Sequence, residues 1–467
     1  MRVDLDLDVD GYRTVSDSVG DREVTGAPGP GDSVLEFEWP VITDFPVRQY
    51  GVNTFDHGAH TIDLPRMRHH CLDRVRGQLR ERSISAILCL DGWNVGYVTG
   101  TTVPYWSTGP AKGVRYALML GDVEEAILYE NAENGYHART SCPWLHKVKV
   151  AITGSGVIGR TMGPSYAGVQ TGKLVQQIIG DLRDAGFSTD SDALAIDAPD
   201  PAVMAEFERV GITVRPDGPE IMEEARKIKG RDEVESVRVS CAIGDAMFGA
   251  LKENLRPGVR ENELLGWMHK RCYDLGGRIY SGVWLASGPA AWPIPRDESD
   301  RQIRPNDIVY SDVYNTSFFG YKICYYRTFS CGRASAQAHS DYATALEWLN
   351  RVVEMIRPGV TTKELAERWP PAREIWENIH VYYEDQTAGS NWGHGIGLTL
   401  YEPPIIWREA SLADPVPLEA GMTLAVETQH GTPGKHGVRI EEMVHVTEDG
   451  AELLSGWPVD AITEVDL

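Results

Sequence analysis

Three acidic residues that interrupt apolar runs constrain the fold of this chain more than any other feature. Asp312, Glu427 and Glu441 each lie within a short apolar segment that is typical of a buried strand. Burial of an unpaired carboxylate costs several kcal/mol, so each acid needs a compensating partner. The glycine-flanked His394 lies in the segment 391–404, where the glycines allow the backbone to bend sharply around the imidazole. We therefore predict that the three acidic strands and the His394 segment line one pocket.

The composition bounds the class of protein. The 467 residues are enough for about two or three domains, and the 42% of hydrophobic residues are enough to build cores. The net charge of −23 argues against nucleic-acid binding, which requires clusters of Lys and Arg. This charge is compatible with simple solubility, the interpretation that we favour, or with a cationic substrate.

The cysteines and the N-terminus indicate a cellular compartment. The seven cysteines are scattered singly without a Cys-x-x-Cys pair, which favours reduced thiols over a disulfide or zinc-finger framework. The N-terminus is acidic and lacks a long apolar run, so it predicts no signal peptide. No uninterrupted apolar stretch reaches about 18 residues, so no membrane-spanning helix is predicted. We expect a cytoplasmic protein with neither a membrane nor a nucleic acid as partner.

Three regions of the chain differ in their pattern. Residues 1–55 predict an arm that packs on another domain or on a partner subunit, with disorder as the alternative. Residues 56–225 carry the short apolar runs and amphipathic segments of an α/β domain. Residues 226–467 mix helices and strands without strict alternation, which indicates an α+β domain. Within it, Pro370-Pro371 is expected to break the helix predicted over 362–379.

Alternation along a strand decides which side chains share a face. In the predicted hairpin of the α+β domain, Asp312 and Tyr314 share one face of the first strand. Cys324 and Tyr326 share one face of the second strand. For the acids of the later strands, the structural alternative to a functional role is a hydrogen bond to a turn or to Arg327.

Short motifs follow one another through the second half of the chain. They are Lys229–Val234, Ala286–Pro289, Gly320–Tyr321 with Arg327–Phe329, His394–Leu398, Glu419–Met422 and Val438–Glu442. With these motifs, the chain from about residue 60 to its end resembles the creatinase/aminopeptidase P/methionine aminopeptidase superfamily of pita-bread enzymes. It looks nearest to the dimethylsulfoniopropionate lyase and creatinase branches. The resemblance implies an α+β pita-bread catalytic domain, a smaller creatinase-like N-terminal α/β domain before it, and a homodimer.

The resemblance also implies a ligand set for metal ions. Metal-binding members of the superfamily use two Asp, one His and two Glu. At the matching positions this chain has Asp312, His394, Glu427 and Glu441, but Cys324 stands in place of the second Asp. A two-metal cluster needs bridging carboxylates, so this replacement argues against one. We expect no metal cofactor, with one divalent iron or zinc ion on the four matching residues as the alternative.

Crowded carboxylates predict a positively charged guest. Acids in one pocket repel one another, and a metal ion, a protonated histidine or a cationic substrate relieves the repulsion. Aromatic side chains near such a pocket can offer cation–π faces to a substrate. The candidate substrate-binding residues are Tyr105, Trp106, Tyr314, Cys324, Tyr326, Trp392, Tyr401 and Arg439.

The sequence thus predicts a non-peptidase, creatinase-like hydrolase or lyase that cleaves a C–N bond of a small cationic or zwitterionic metabolite. His394 is expected to move the proton, and Asp312 to orient His394 or the substrate. Glu427 and Glu441 are expected to hold the cationic group or to position water. Two alternatives stay open: a mononuclear metal-dependent lyase or hydrolase similar to dimethylsulfoniopropionate lyase, and a non-catalytic pseudo-enzyme that binds a ligand.

Overall fold

The computed structural model describes residues 62–101 and 114–467, apart from short gaps. The gaps are 122, 124, 132–133, 136–137, 140–141, 154–158, 160, 294–297 and 381–390. All described residues belong to one compact unit that covers residues 41–467. The predicted arm at 1–55 and the candidate aromatics Tyr105 and Trp106 lie outside the described residues, so the arm and the role of these two aromatics stay predictions.

The N-terminal half is an α/β module around a six-stranded mixed sheet. Its elements are α1 (Leu64–Glu81), β1 (Ala86–Cys89), α2 (Gly92–Thr99), β2 (Tyr116–Leu120), β3 (Ile127–Glu130), β4 (Val148–Val150), α3 (Pro164–Asp184), β5 (Leu194–Ile196), α4 (Pro201–Arg209), β6 (Val214–Arg215) and α5 (Gly218–Lys227). The strand order is β4-β3-β2-β1-β5-β6. The central strand β1 pairs antiparallel with β2 and parallel with β5. Strands β2 and β3 pair antiparallel as a hairpin.

Helix α1 shows how local sequence sets an element of this module. The Asp63 side chain accepts the backbone N–H of Arg66, which satisfies a donor that the first turn leaves free. Cys71, Val75 and Leu79 follow at intervals of four residues, and all three are buried. This apolar stripe packs α1 against the module and against the helix that opens the second half of the chain.

The C-terminal half mixes helices with three sheets. Its helices are α6 (Arg231–Asn254), α7 (Glu261–Asp274), α8 (Ala336–Val353), α9 (Thr362–Ala366), α10 (Ala372–Trp376) and α11 (Arg408–Ala413), with short 3-10 turns at Gly288–Ala291 and Glu377–Ile379. Its strands are β7 (Arg278–Ile279), β8 (Trp284–Ser287), β9 (Ile308–Asp312), β10 (Thr316–Phe318), β11 (Tyr321–Lys322), β12 (Tyr326–Cys331), β13 (Asn391–Gly395), β14 (Glu402–Trp407), β15 (Thr423–Thr432), β16 (His436–Val446), β17 (Ala451–Leu453) and β18 (Thr463–Val465).

Two of these sheets position the candidate site. One has the order β18-β12-β9-β8, and the other has the order β14-β13-β15-β16-β17. Helix α8 packs on β15 and β16, and β12 contacts β16, so the two sheets meet along these strands. The acidic strands β9, β15 and β16 are therefore neighbours in space, although more than a hundred residues separate the first from the others.

The α+β class predicted for this half is confirmed by the mixture of helices and sheets. The predicted break at Pro370-Pro371 is also confirmed, because α9 ends before these prolines and α10 begins after them. Among the described residues, no helix combines the length and the apolarity that crossing a bilayer requires.

Candidate active site

The hairpin of β9 and β12 brings Asp312 and Cys324 together. Asp312 lies opposite Tyr326 in the antiparallel register. The pairing continues past β9, because Val313 donates its N–H to the Tyr325 carbonyl at 3.2 Å. Cys324 therefore falls on the same face as Asp312, and its Sγ lies 3.8 Å and 3.7 Å from the two carboxylate oxygens.

The second sheet adds two glutamates and the histidine. Glu427 of β15 lies directly opposite Glu441 of β16, and such cross-strand partners share one face. His394 of β13 pairs with Ala425, two residues from Glu427 on the same strand and face. One ligand atom each from Cys324, His394 and Glu441 lies within 4.8 Å of the others. The predicted convergence of His394 with an acidic strand is thus observed for Glu441.

Glu441 differs from the other acids of the site because its carboxyl group is fully buried and has no hydrogen-bond partner among the described residues. Its relative accessibility is 0%, and neither carboxylate oxygen has a hydrogen-bond partner among the described residues. Burial raises the pKa of Glu441 well above its usual value, and the charges of Glu427 and Asp312 raise it further. Such a group requires either a proton or a cation.

Asp312 and Glu427 are buried too, but a cation lies near them. Arg439 donates from Nη2 to Glu427 Oε2 at 2.6 Å, and its guanidinium carbon lies 3.9 Å from the centre of the Tyr326 ring. Burial raises the pKa of Asp312 to about 7, while Arg439 acts against this rise. Burial also raises the pKa of Glu427, again against Arg439. Arg439 therefore acts to lower the pKa of all three carboxylates, but it donates a hydrogen bond to Glu427 and none to Glu441.

The hydrogen bonding of the His394 imidazole leaves its Nε2 atom able to bind a metal ion. Nδ1 lies 2.9 Å from the Gly395 carbonyl oxygen, which accepts only and thus assigns the proton to Nδ1. Nε2 then keeps its lone pair. Burial lowers the pKa of His394 to about 4, against the raising effect of the Gly395 and Leu400 carbonyls. A neutral imidazole with one oriented N–H is the form that binds a metal ion.

The remaining candidate residues fall into different places. Tyr401 is 59% exposed and its ring centre lies 4.5 Å from that of His394, so it borders the site from the open side. Tyr314 contacts the Trp284 ring at 5.5 Å. Trp392 differs from the expectation of a ligand-facing ring, because it is fully buried and stacks on Trp369 at 5.5 Å in the core under α8. The β-bulge between Asn391 and His394 accounts for this turn of the side chain.

The donor set fits a divalent metal ion. A thiol, a neutral imidazole nitrogen and an unpaired buried carboxylate are three standard ligand types, and here they lie in one cluster. Sequence reasoning placed Cys324 with the substrate and missed the Arg439–Glu427 ion pair. The signal for Cys324 was its place at a position where the resembling metal enzymes carry a ligand.

Comparison with known proteins agrees with this geometry. Residues 235–448 match the model of metallopeptidase family M24. Over 245 residues the chain is 29% identical to the probable dipeptidase PepE of Mycobacterium tuberculosis, which covers 52% of this chain and 62% of PepE. The chain thus spans about three fifths of the length of that relative. It is 25% identical over 429 residues to the dimethylsulfoniopropionate lyase DddP of Roseovarius nubinhibens, covering 86% of this chain and 89% of DddP.

A solved structure shares the fold along most of the chain. The X-Pro aminopeptidase of Thermotoga maritima superposes with a TM-score of 0.66 at 20% identity, covering 84% of this chain and 99% of the other. The resemblance stated from the motifs is confirmed by these matches, and so is the pita-bread fold. The expectation that no metal cofactor is needed is wrong: the matched family is one of metallopeptidases, and Cys324, His394 and Glu441 form a cluster of ligand atoms.

Proposed function

The C-terminal domain belongs to the creatinase/aminopeptidase P superfamily, and from this premise we propose that the chain is a metal-dependent lyase for a small cationic or zwitterionic substrate. The observation that carries the proposal is the excess of buried negative charge around Glu441. Elimination is preferred over hydrolysis because the similarity to the lyase DddP extends over 86% of the chain, whereas that to the dipeptidase PepE covers 52%.

The charge of the site supports a cationic substrate. Three carboxylates and the Cys324 thiol crowd the site, and among the described residues Arg439 is the cation that pairs with one of them. With the thiol ionised, the four negative groups exceed the charge of one arginine and one divalent ion by one unit. This remaining negative charge attracts an ammonium or sulfonium group of the substrate. The exposed ring of Tyr401 offers such a group a cation–π face at the entrance.

Cys324, His394 and Glu441 would hold the metal ion, with Asp312 next to the thiol. A bound divalent ion supplies a Lewis acid that polarises an oxygen of the substrate. His394 is thereby assigned to binding the ion, and the proton transfer that we expected of it passes to a carboxylate.

Glu427 is the carboxylate that we assign to proton transfer. Its Oε2 accepts from Arg439, which holds the side chain in one orientation and leaves Oε1 available. In an elimination, Glu427 takes a proton from the carbon next to the one that bears the leaving group. The electrons of that C–H bond form the C=C bond, and the cationic group leaves as a neutral amine or thioether. Because the leaving group departs neutral, the reaction needs no separate general acid.

The test is turnover by the metal-loaded protein. We expect an alkene product, detected by proton NMR, from dimethylsulfoniopropionate or from its quaternary ammonium counterpart. The Glu427→Gln variant is expected to lose this turnover, while the Glu448→Gln variant, with a change at an exposed position outside the site, keeps it.

A second candidate function is hydrolysis of a small dipeptide. It is favoured by the 30% identity over 237 residues to the Xaa-Pro dipeptidase of Pyrococcus furiosus, of which the chain covers 65%. If the loaded protein hydrolyses Xaa-Pro dipeptides and leaves both zwitterions intact, the lyase proposal is rejected in favour of this one. If no substrate of either class turns over while ligands still bind, a binding function replaces both. The homodimer and the cytoplasmic location stay predictions, and sedimentation of the purified protein tests the first.

A further inference from the structure

We propose that Cys324 binds the metal ion directly through its sulfur, so that the site holds one thiophilic divalent ion of the zinc or iron(II) type. This inference rests on the proposed metal-dependent function and makes it more specific. It concerns which ion binds and how many bind, and it can fail while that function stands.

The position of the sulfur carries the first part of the inference. Cys324 is 7% exposed, and its Sγ points into the same cluster as a nitrogen of His394 and an oxygen of Glu441. Its backbone is fixed by the ladder on both sides, since Asn315 donates to the Ile323 carbonyl at 3.0 Å and Val313 to the Tyr325 carbonyl at 3.2 Å. Thiolate, imidazole and carboxylate together form a mixed set that suits zinc and iron(II), whereas manganese and magnesium prefer oxygen donors throughout.

Glu441 gives an independent reason to place an ion here. It is fully buried, and both of its oxygens lack a hydrogen-bond partner among the described residues. By contrast, the neighbouring Glu442 accepts from Arg327 Nη2 at 2.8 Å. An unpartnered carboxylate oriented toward a thiol and an imidazole is explained by a cation between them, because buried carboxylates otherwise acquire a partner.

Arg439 explains why we infer a single ion. A second cation near the cluster would need free carboxylates, and Glu427 is already paired with Arg439 at 2.6 Å. The guanidinium also lies over the Tyr326 ring, next to the Asp312 side of the site. Its positive charge repels a second divalent ion from the region that these two carboxylates would offer. The positive charge of Arg439 thus takes the role that a second metal ion would have beside these two carboxylates.

Cobalt(II) is the probe for the sulfur ligand, since a cobalt–thiolate bond gives a near-ultraviolet charge-transfer band that oxygen and nitrogen ligands do not give. We expect the metal-free protein to bind one Co²⁺ per chain with this band. Cys324→Ser is expected to abolish the band and to weaken Co²⁺ binding more than about tenfold. The matched control is Cys331→Ser, which alters another buried cysteine at the far end of β12 and should leave band and affinity unchanged.

A second variant keeps the test decisive if Cys324→Ser folds poorly. Cys324→Asp supplies an all-oxygen and nitrogen set, and we expect it to lack the band and to shift the preference from zinc toward manganese, measured by competition and elemental analysis. Wild-type protein that binds Co²⁺ without the band, or that binds two ions per chain, overturns the inference without any variant. Band and stoichiometry without turnover reject the proposed function alone, and turnover with manganese but no band rejects the inference alone.

Discussion

Two fully enclosed glutamates of the C-terminal half, Glu402 and Glu441, show opposite ways of burying a charge. Glu402 is 2% exposed and lies 2.8 Å from Lys229 Nζ and 3.2 Å from Arg226 Nε. It also accepts the backbone N–H of Thr399 at 3.1 Å. Glu441 is 0% exposed and has no hydrogen-bond partner among the described residues.

The pKa values of the two groups diverge for this reason. Burial alone would raise the pKa of Glu402, but Lys229 and Arg226 outweigh it and hold that pKa below its usual value. Burial raises the pKa of Glu441, the charges of Glu427 and Asp312 raise it further, and the opposing effects of Arg439 and Cys324 do not offset this rise. The balanced carboxylate fixes a structure, here the segment between β13 and β14. Glu441, which lacks such partners, favours the binding of a cation beside it.

The strand β16 contains the same contrast within two adjacent residues. Glu442 points to the opposite face from Glu441, pairs with Arg327 at 2.8 Å and accepts from the Ser455 hydroxyl. The structural alternative considered for the acids, a bond to Arg327, is therefore correct for Glu442 and does not hold for Glu441. Accessibility alone does not distinguish the two, since Glu442 is 4% exposed; the partners do.

The largest effect is expected on the unfolding free energy when Glu402, the carboxylate with buried cationic partners, is changed. Glu402→Gln leaves Lys229 and Arg226 buried without their counter-ion, and breaking a buried pair in this way costs about 3–5 kcal/mol. Urea denaturation of the metal-free protein measures the loss of unfolding free energy. As a control, Glu419→Gln removes the half-exposed partner of Lys227 and should cost no more than about 1 kcal/mol. Equal losses for the two variants would refute the view that Glu402 fixes its segment.

The next largest effect is expected at Glu441, where a substitution should weaken metal binding without lowering the stability of the metal-free protein. Glu441→Gln is expected to weaken Co²⁺ binding more than about 100-fold, because a ligand is lost rather than an outer partner. The metal-free variant should unfold no more easily than wild type, since the change replaces a carboxyl group that has no hydrogen-bond partner and is held protonated by burial. Isothermal titration and urea denaturation measure the two quantities. A loss of stability as large as that of Glu402→Gln would show that Glu441 has a structural partner after all.

The pH dependence of stability should also distinguish the acids of the site, Asp312 and Glu441, from Glu402. In the metal-free protein, Asp312 has a folded-state pKa of about 7 and an unfolded value of about 4, so the folded state holds the extra proton between these values. Its contribution to the unfolding free energy therefore falls as pH rises, by up to about 1.4 kcal/mol per pH unit. Glu441 acts in the same direction. Glu402, with a lowered pKa, contributes stability above its unfolded value that is lost only at lower pH.

His394 opposes this slope, because burial lowers its pKa to about 4 and its contribution is lost as pH falls below the unfolded value. The measurement is therefore a difference between two proteins. Between about pH 5 and 7, the unfolding free energy of Glu441→Gln should fall less with pH than that of wild type. A parallel course of the two curves would mean that Glu441 is already ionised in the folded protein.

Much of the fold could be predicted because its causes are local. The helix Leu64–Glu81 is an example, since its N-cap Asp63 and its apolar stripe lie within one short stretch of sequence. The hairpin of β9 and β12 and its shared face followed from the two-residue alternation of strands. The same alternation requires Glu441 and Glu442, as adjacent residues of one strand, to face opposite ways.

What could not be predicted depends on register and irregularity. The Arg439–Glu427 pair joins neighbouring strands diagonally, and it exists only because Glu427 lies opposite Glu441 rather than one residue away. Trp392, which the sequence predicts as a cation–π face for the substrate, turns into the core at a β-bulge of β13 that interrupts the regular alternation. The sequence predicts Cys324 as a substrate-binding residue, and a small buried thiol is more often inert than nucleophilic. Only its nearness to His394 and Glu441 identifies it as a candidate metal ligand.

The smallest effect is expected at Tyr401. This residue directly precedes Glu402 in the chain, and the centre of its ring lies 4.5 Å from that of His394. If the ring acts as a cation–π face, Tyr401→Ala removes an interaction of about 0.5–1 kcal/mol and raises KM a few-fold. Tyr401→Phe keeps the ring and should leave both KM and kcat near wild type. A fall in kcat for Tyr401→Phe as large as that for Tyr401→Ala would instead assign the hydroxyl to proton donation. The site would then need an acid, and elimination of a neutral leaving group would no longer be the preferred reaction, because it requires none.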